Sequence, residues 1–298
     1  MRTYLDCYPC FIKQALESAK MAGADTQTQK KIIDKVARLL PKIPLSSSPP
    51  ETGRTIRRSV KKLMGNSDPY KEIKIKSNNL ALGIYDFLKN KIAHSHDKLL
   101  TSVELAITGN IIDYGAKNSL NIDEEIAKIL RKEYKAIKHE DKAIFDYTRF
   151  KKVLNNAKTI LYLADNAGET VFDRILIEEI KRLDKDKIII YAVKEKPTIN
   201  DALMEDAVAC GIDKSAEIIS SGAETSGTVL KHCSSRFLKL YKDADMVISK
   251  GQGNFEALSD SERPVFFLLM VKCFVIAEHI CALGAKCKVG DVILYYQK

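Results

Sequence analysis

Apolar positions in the first half of the chain recur at helical spacing. Ile12, Ala15, Leu16 and Ala19 share one face of residues 11–22, and Ile32, Val36, Leu39 and Leu40 repeat the pattern until Pro41 and Pro44 break it. Residues 45–50 form a Ser/Pro loop, with Pro49-Pro50 suited to the first turn of another helix. Further helices are predicted over about 51–64, 71–92, 98–114 and 123–134. Near Thr159 the period changes. Residues 159–164 (TILYLA) and 187–193 (KIIIYAV) are unbroken β-branched runs of strand length, and 217–219, 246–249 and 265–271 resemble them. Amphipathic segments at 170–183 and 200–210 alternate with these strands, and 292–296 predicts a last strand at an edge. The pattern predicts an α/β protein: a three-layer α/β/α core with a mostly parallel sheet and an all-helical N-terminal domain. Residues 1–150 are expected to form the helical domain over a cleft, and residues 151–298 the α/β/α domain.

Composition narrows the partners. A 45% apolar share in 298 residues suffices for a large core, and the net charge of +9 favours anionic ligands without choosing among them. No run approaches the roughly 18–20 apolar residues that span a bilayer. The N-terminus MRTYLDCYPC has no apolar signal core, so a cytoplasmic protein is expected. Seven cysteines, scattered apart from Cys7 and Cys10, do not form a secreted disulfide framework.

Ligands of open parallel sheets bind beyond the carboxyl ends of the strands, and four polar clusters fall there. The first is ADNAGET (residues 164–170). Asp165 and Asn166 offer adjacent carboxylate and amide oxygens, suited to a hard cation, and Gly168 permits a tight turn into a helix whose free N–H groups suit an anion. A helix cap would explain one of these residues but not two. The second, PTINDA (197–202), supplies another Asn-Asp pair, which alone would be read as a cap. The third, SSGAETSGT (220–228), is a hydroxyl-rich loop able to cradle phosphate. The fourth, KGQGNFE (250–256), puts a lysine between an apolar strand and a Gly-x-Gly turn, as a phosphate clamp requires. No P-loop, dinucleotide fingerprint or nucleophile elbow occurs, and no histidine lies in any cluster. These absences argue against a Ser-His or Cys-His nucleophile and favour metal-assisted hydrolysis.

Together DNAGE, the later ND, SGAETSGT and KGQGNFE resemble the damage-control phosphatase family. DCYPCFIKQAL, AITGNIIDYG and VKCFVIA resemble its archaeal and bacterial branch, so the similarity spans nearly the whole chain. The resemblance implies divalent-metal-dependent hydrolysis of small phosphorylated metabolites. It matches Asp165, Asn166 and Asp201 to metal ligands and Lys250 to a phosphate-contacting lysine. Asn110 and Asp113 are expected to help close the site on substrate. Glu169, beside the ligands, is expected to orient water, and Ser226, Thr228 and Asn254 to contact the phosphate with Lys250. The ion could be Mg²⁺, Mn²⁺, Co²⁺ or Ni²⁺. The Arg-Thr-x-Lys ending of related members is absent from VGDVILYYQK. A covalent aspartyl-phosphate at Asp165 would need a second acid where Ala167 stands.

Two other classes were weighed. An S-adenosylmethionine-dependent carboxyl methyltransferase would need a glycine-rich loop after the first strand, which is missing. A nucleic-acid-binding protein would rest on net charge alone. The run Arg54, Arg57, Arg58, Lys61, Lys62 has no interleaved aromatics and is expected to be a solvated helix face. Cys7-x-x-Cys10 is half of a zinc site without a second half, so free thiols are expected.

Overall fold

The computed structural model describes residues 1–65, 68–109 and 142–298. Asn110, Asp113 and the helix expected over 123–134 lie outside the described residues.

The helical part has two units. Helices α1 (Cys7–Met21), α2 (Thr26–Leu39) and α3 (Pro49–Met64) enclose a small core of their own, in which Phe11, Ala15, Ile32, Val36, Ile56 and Val60 meet. Ser48 opens α3: its backbone N–H donates to Glu51 at the third helical position, and two prolines follow. Helices α4 (Lys71–Gly83), α5 (Tyr85–Ala93) and α6 (Lys98–Thr108) instead pack on the sheet half. The single helix expected over 71–92 is interrupted at Ile84.

The sheet has seven strands: β1 (Lys142–Phe145), β2 (Thr159–Leu163), β3 (Ile188–Val193), β4 (Glu217–Ser220), β5 (Met246–Lys250), β6 (Val265–Met270) and β7 (Val292–Gln297). Their spatial order is β1-β7-β6-β5-β2-β3-β4. Only the β6–β7 pair is antiparallel among the described strands. The last strand is therefore not at the edge. The four-residue strand KAIF, too short and too mixed to show in the apolar pattern, lies outside it.

Side chains alternate across the sheet. Ile160 and Tyr162 face α6, α7 (Tyr147–Asn156) and α8 (Glu169–Leu183). Leu161 and Leu163 face α10 (Ser235–Asp243), α11 (Gly251–Leu258) and α12 (Phe274–Cys281). Burial on both faces explains why β2, β3 and β5 read as continuous apolar runs. A short helix, α9 (Met204–Ala209), lies between β3 and β4. No helix among the described residues is long and apolar enough to cross a membrane.

Candidate active site

The turn after β2 and the loop after β3 are stitched to each other. An isolated antiparallel bridge joins Asn166 and Asp201: Ala202 N donates to Asp165 O at 2.8 Å, and Ala167 N donates to Asn200 O at 2.9 Å. Neither pair caps a helix. The N-cap of α8 is Gly168, and that of α9 is Leu203, so the helix expected from residue 200 begins four residues later. Asn200 to Ala202 are committed to the bridge instead. The capping explanation of both Asp-Asn clusters therefore fails, and the bridge sets Asp165, Asn166 and Asp201 side by side at the carboxyl ends of β2 and β3.

Packing fixes the turn from both sides. Gly168 has φ +79°, and a Cβ there would lie 2.9 Å from Ser77 Cβ on α4. The neighbouring Asn78 accepts from Gly168 N at 2.6 Å and donates to Asp206 at 2.8 Å. A Cβ on Gly251 would stand 2.0 Å from the Asp165 carboxylate, so only glycine lets that carboxylate lie against the first turn of α11.

Asp165, Asn166, Asn200, Asp201 and Ser226 line a cavity of about 660 Å³, roofed by Cys7, Cys10, Phe11 and Gly53 of the helical part. Gln252, Glu256, Lys272 and Cys273 complete its wall. The half zinc motif thus sits over the cavity, and its thiols are free.

Burial holds the Asp165 carboxyl well above the usual carboxylate range, and the charges of Glu169 and Asp201 push it in the same direction. Asn166 Nδ2 donates to Asp165 Oδ2 at 2.8 Å and to Glu169 Oε2 at 3.2 Å, while Asn200 Nδ2 donates to Asn166 Oδ1 at 2.9 Å. Among the described residues no three His, Cys, Asp or Glu side chains are arranged to hold an ion by themselves. The donor set is two carboxylates and an amide oxygen. These are hard oxygen ligands at a cluster of mutually repelling acids, and they fit an oxygen-preferring divalent cation.

The lysine expected to clamp phosphate is placed differently. Lys250 is fully buried, donating to Glu169 Oε1 at 2.8 Å and Asp173 Oδ1 at 2.6 Å, and it does not line the cavity. Burial alone would lower its pKa, but the charges of Asp173 and Glu169 outweigh this and raise it. Asp173 also accepts from Tyr162 at 2.7 Å and Tyr191 at 2.8 Å, which stand on β2 and β3.

Ser226 reaches the cavity, whereas Thr228 and Asn254 do not. Asn254 is a latch. Its Oδ1 accepts from Thr228 N at 2.7 Å, Thr228 Oγ1 at 2.8 Å and Lys194 Nζ at 3.3 Å. Its Nδ2 donates to Lys250 O at 2.7 Å and Ala164 O at 3.0 Å, so one amide ties together the ends of β2, β3 and β5 and the loop after β4.

Sequence reasoning missed several residues. Buried Lys194 has its amine 3.9 Å from Asp201 Oδ2, and it follows an apolar strand just as Lys250 does, so the same signal could have found it. Lys272, directly after the apolar run 265–271, carried the same signal, whereas Asp173 carried none.

A doubly wound sheet carrying buried carboxylates and an amide at adjoining strand ends defines an α/β protein with a strand-end acidic site. The family described as damage-control phosphatase ARMT1-like domain matches residues 3–287, and the chain belongs to it. It is 37% identical to an uncharacterized protein of Methanocaldococcus jannaschii, over 97% of this chain and 93% of that one. It is 35% identical to a protein of Pyrococcus horikoshii named a damage-control phosphatase, over 94% of each chain. A similarly named protein of Archaeoglobus fulgidus is 32% identical over 96% of each. The crystal structure of a DUF89 family protein from P. horikoshii superposes with a TM-score of 0.88 at 32% identity, covering the whole of both chains.

Proposed function

We propose that this protein is a divalent-metal-dependent phosphatase acting on phosphomonoesters of small metabolites. The observation that carries the reading is the bridge between Asn166 and Asp201, which gathers hard oxygen donors at strand ends without using them as helix caps. Membership of the damage-control phosphatase family and the names of two relatives support it.

Asp165, Asn166 and Asp201 would hold the ion. When bound, such an ion neutralises phosphoryl charge and makes water more acidic. The chain's own groups do the rest. Glu169, held by Lys250 and Asn166 and outside the cavity lining, fixes the Asn166 amide beside Asp165. Lys250 acts through Glu169 and is a positioning residue, while the Ser226 hydroxyl and the Lys272 ammonium on the cavity wall receive the phosphoryl oxygens. Thr228 and Asn254 hold Ser226 in place from behind.

The test is phosphate release from sugar phosphates, nucleotides and phosphopantetheine derivatives with Mg²⁺, Mn²⁺, Co²⁺ or Ni²⁺. Asp165→Ala and Asp201→Ala are each expected to lower kcat/KM by roughly 100-fold or more, the loss seen when a group stabilising transition-state charge is removed. Full metal-dependent activity in Asp165→Ala would overturn the reading.

A further inference from the structure

The basic run of α3 is a solvated face only in part: Arg58, Lys61 and Lys62 are exposed, whereas Arg54 and Arg57 are half-buried. Arg54, Arg57, Arg58 and Lys61 line a second cavity of about 310 Å³, closed on the far side by Lys196, Ile199 and Glu224. Ile199 also lines the cavity of the acidic site, so the two spaces adjoin at that residue. Its φ of +49° puts a β-branched side chain in the left-handed region, a strained conformation. Such strain persists where the surroundings impose it, and here it lies at the partition between two cavities.

Charge in this second cavity is unbalanced. Glu224 pairs with Arg58 at 3.0 Å, with Arg54 at 4.0 Å and with Lys196, while Arg57 Nη2 reaches only the Glu224 backbone carbonyl, at 3.1 Å. The other carboxylate in the wall, Asp68, holds Lys74 at 3.0 Å. Arg57 Nη1 and Arg54 Nε are buried and have no hydrogen-bond partner among the described residues. A buried donor left unsatisfied is costly, more so on a charged group, and a ligand acceptor would complete both guanidinium groups. Burial pulls the Arg57 guanidinium below its usual range, and the charge of Asp201 opposes that pull. Arg57 therefore feels the acidic site directly. Its Nη1 lies 3.5 Å from the position of a Cβ on Gly53, which lines the first cavity.

We propose that this arginine cavity binds a second anionic group of the substrate, so that the preferred substrates are small phosphomonoesters carrying a further phosphate or carboxylate. The inference rests on the phosphatase reading for its first anion and on Arg54 and Arg57 for its second. Two guanidinium groups with open donors match the paired oxygens of either anion.

The test compares a hexose bisphosphate and a sugar-acid phosphate with the matching hexose monophosphate, which has no second anionic group, using the metal-loaded full chain. Wild type is expected to prefer a substrate with two anionic groups, and the better of the two tells phosphate from carboxylate. Arg57→Gln and the Arg54→Gln/Arg57→Gln pair should lose kcat/KM on that substrate by roughly 10–100-fold, at least about tenfold more than on the monophosphate. Lys196→Gln at the exposed rim should lose less, in the same direction, and exposed Lys62→Gln should change neither substrate. Equal losses on both substrate types, or a wild-type preference for the monophosphate, would overturn the proposal. If wild type releases phosphate from nothing, the phosphatase reading fails, and calorimetric titration with inorganic phosphate in a chelator decides the subsite by itself. Binding by wild type that disappears in the double variant supports the subsite, and binding unchanged or absent overturns it.

Discussion

Lys250 and Asp173 are both fully buried, and each is tolerable only because the other is there. The ammonium touches two carboxylates, and the Asp173 carboxylate also takes hydroxyl hydrogens from Tyr162 and Tyr191, so every strong polar group has partners. Lys250→Met removes one cation from between two buried acids. It is expected to cost about 3–5 kcal/mol, the usual penalty of orphaning a buried charge. Urea unfolding checks this, with Lys250→Met/Asp173→Asn expected to recover part of the loss. This network also marks a limit of sequence reading. Lys250 stood out beside two glycines, but Asp173 lies one turn inside an amphipathic helix and the two tyrosines lie within apolar strands. Only the closure of the sheet shows that the lysine's partners are these residues rather than a ligand.

At the scale of elements, two loops meet backbone to backbone. A Cβ on Gly227 would come within 2.0 Å of Gly253 O, and one on Gly253 within 2.1 Å of Ser226 O. The loop after β4 can thus lie on the first turn of α11 only if both residues lack side chains. Gly253→Ala is expected to cost about 1–3 kcal/mol, as overpacking does, and to displace Ser226. A lowered Tm with an activity loss larger than the stability loss would check it. Strands buried on both faces were legible because their apolar runs are continuous, and the four polar clusters stood out because each follows such a run. The bridge was not legible. It joins residues 35 positions apart in sequence, Asn166 and Asp201, and it replaces the helical turn that the pattern around residue 200 favours. The arginine pair was misread for a similar reason: helical spacing tells which residues share a face, not what that face meets.

Over the whole molecule, Glu256 marks the joint between the helical roof and the sheet. Burial raises its carboxyl to about 7, against hydrogen bonding from Gln252 and the charges of the N-terminal amine and Lys272, and it acts in turn on the thiol of Cys7 in α1. A carboxyl raised in the folded state favours folding fully below its unfolded pKa, about 4.5, and this contribution is lost as pH rises through about 7. Glu256→Gln, neutral throughout, should therefore flatten the fall in Tm between pH 5 and pH 8. Tm measured at both values decides it, and an unchanged slope would count against the assignment.

The order of the strands has a consequence for synthesis on the ribosome. Asp173 and Glu169 are made early, but Lys250 follows Asp173 by 77 residues and must insert β5 beside β2 to reach them. At roughly 5–20 residues per second, translation leaves those acids without their cation for about 4–15 seconds. Through that interval the nascent β2–β3 segment cannot bury its acids cheaply, and the sheet must wait for its later strands before it closes.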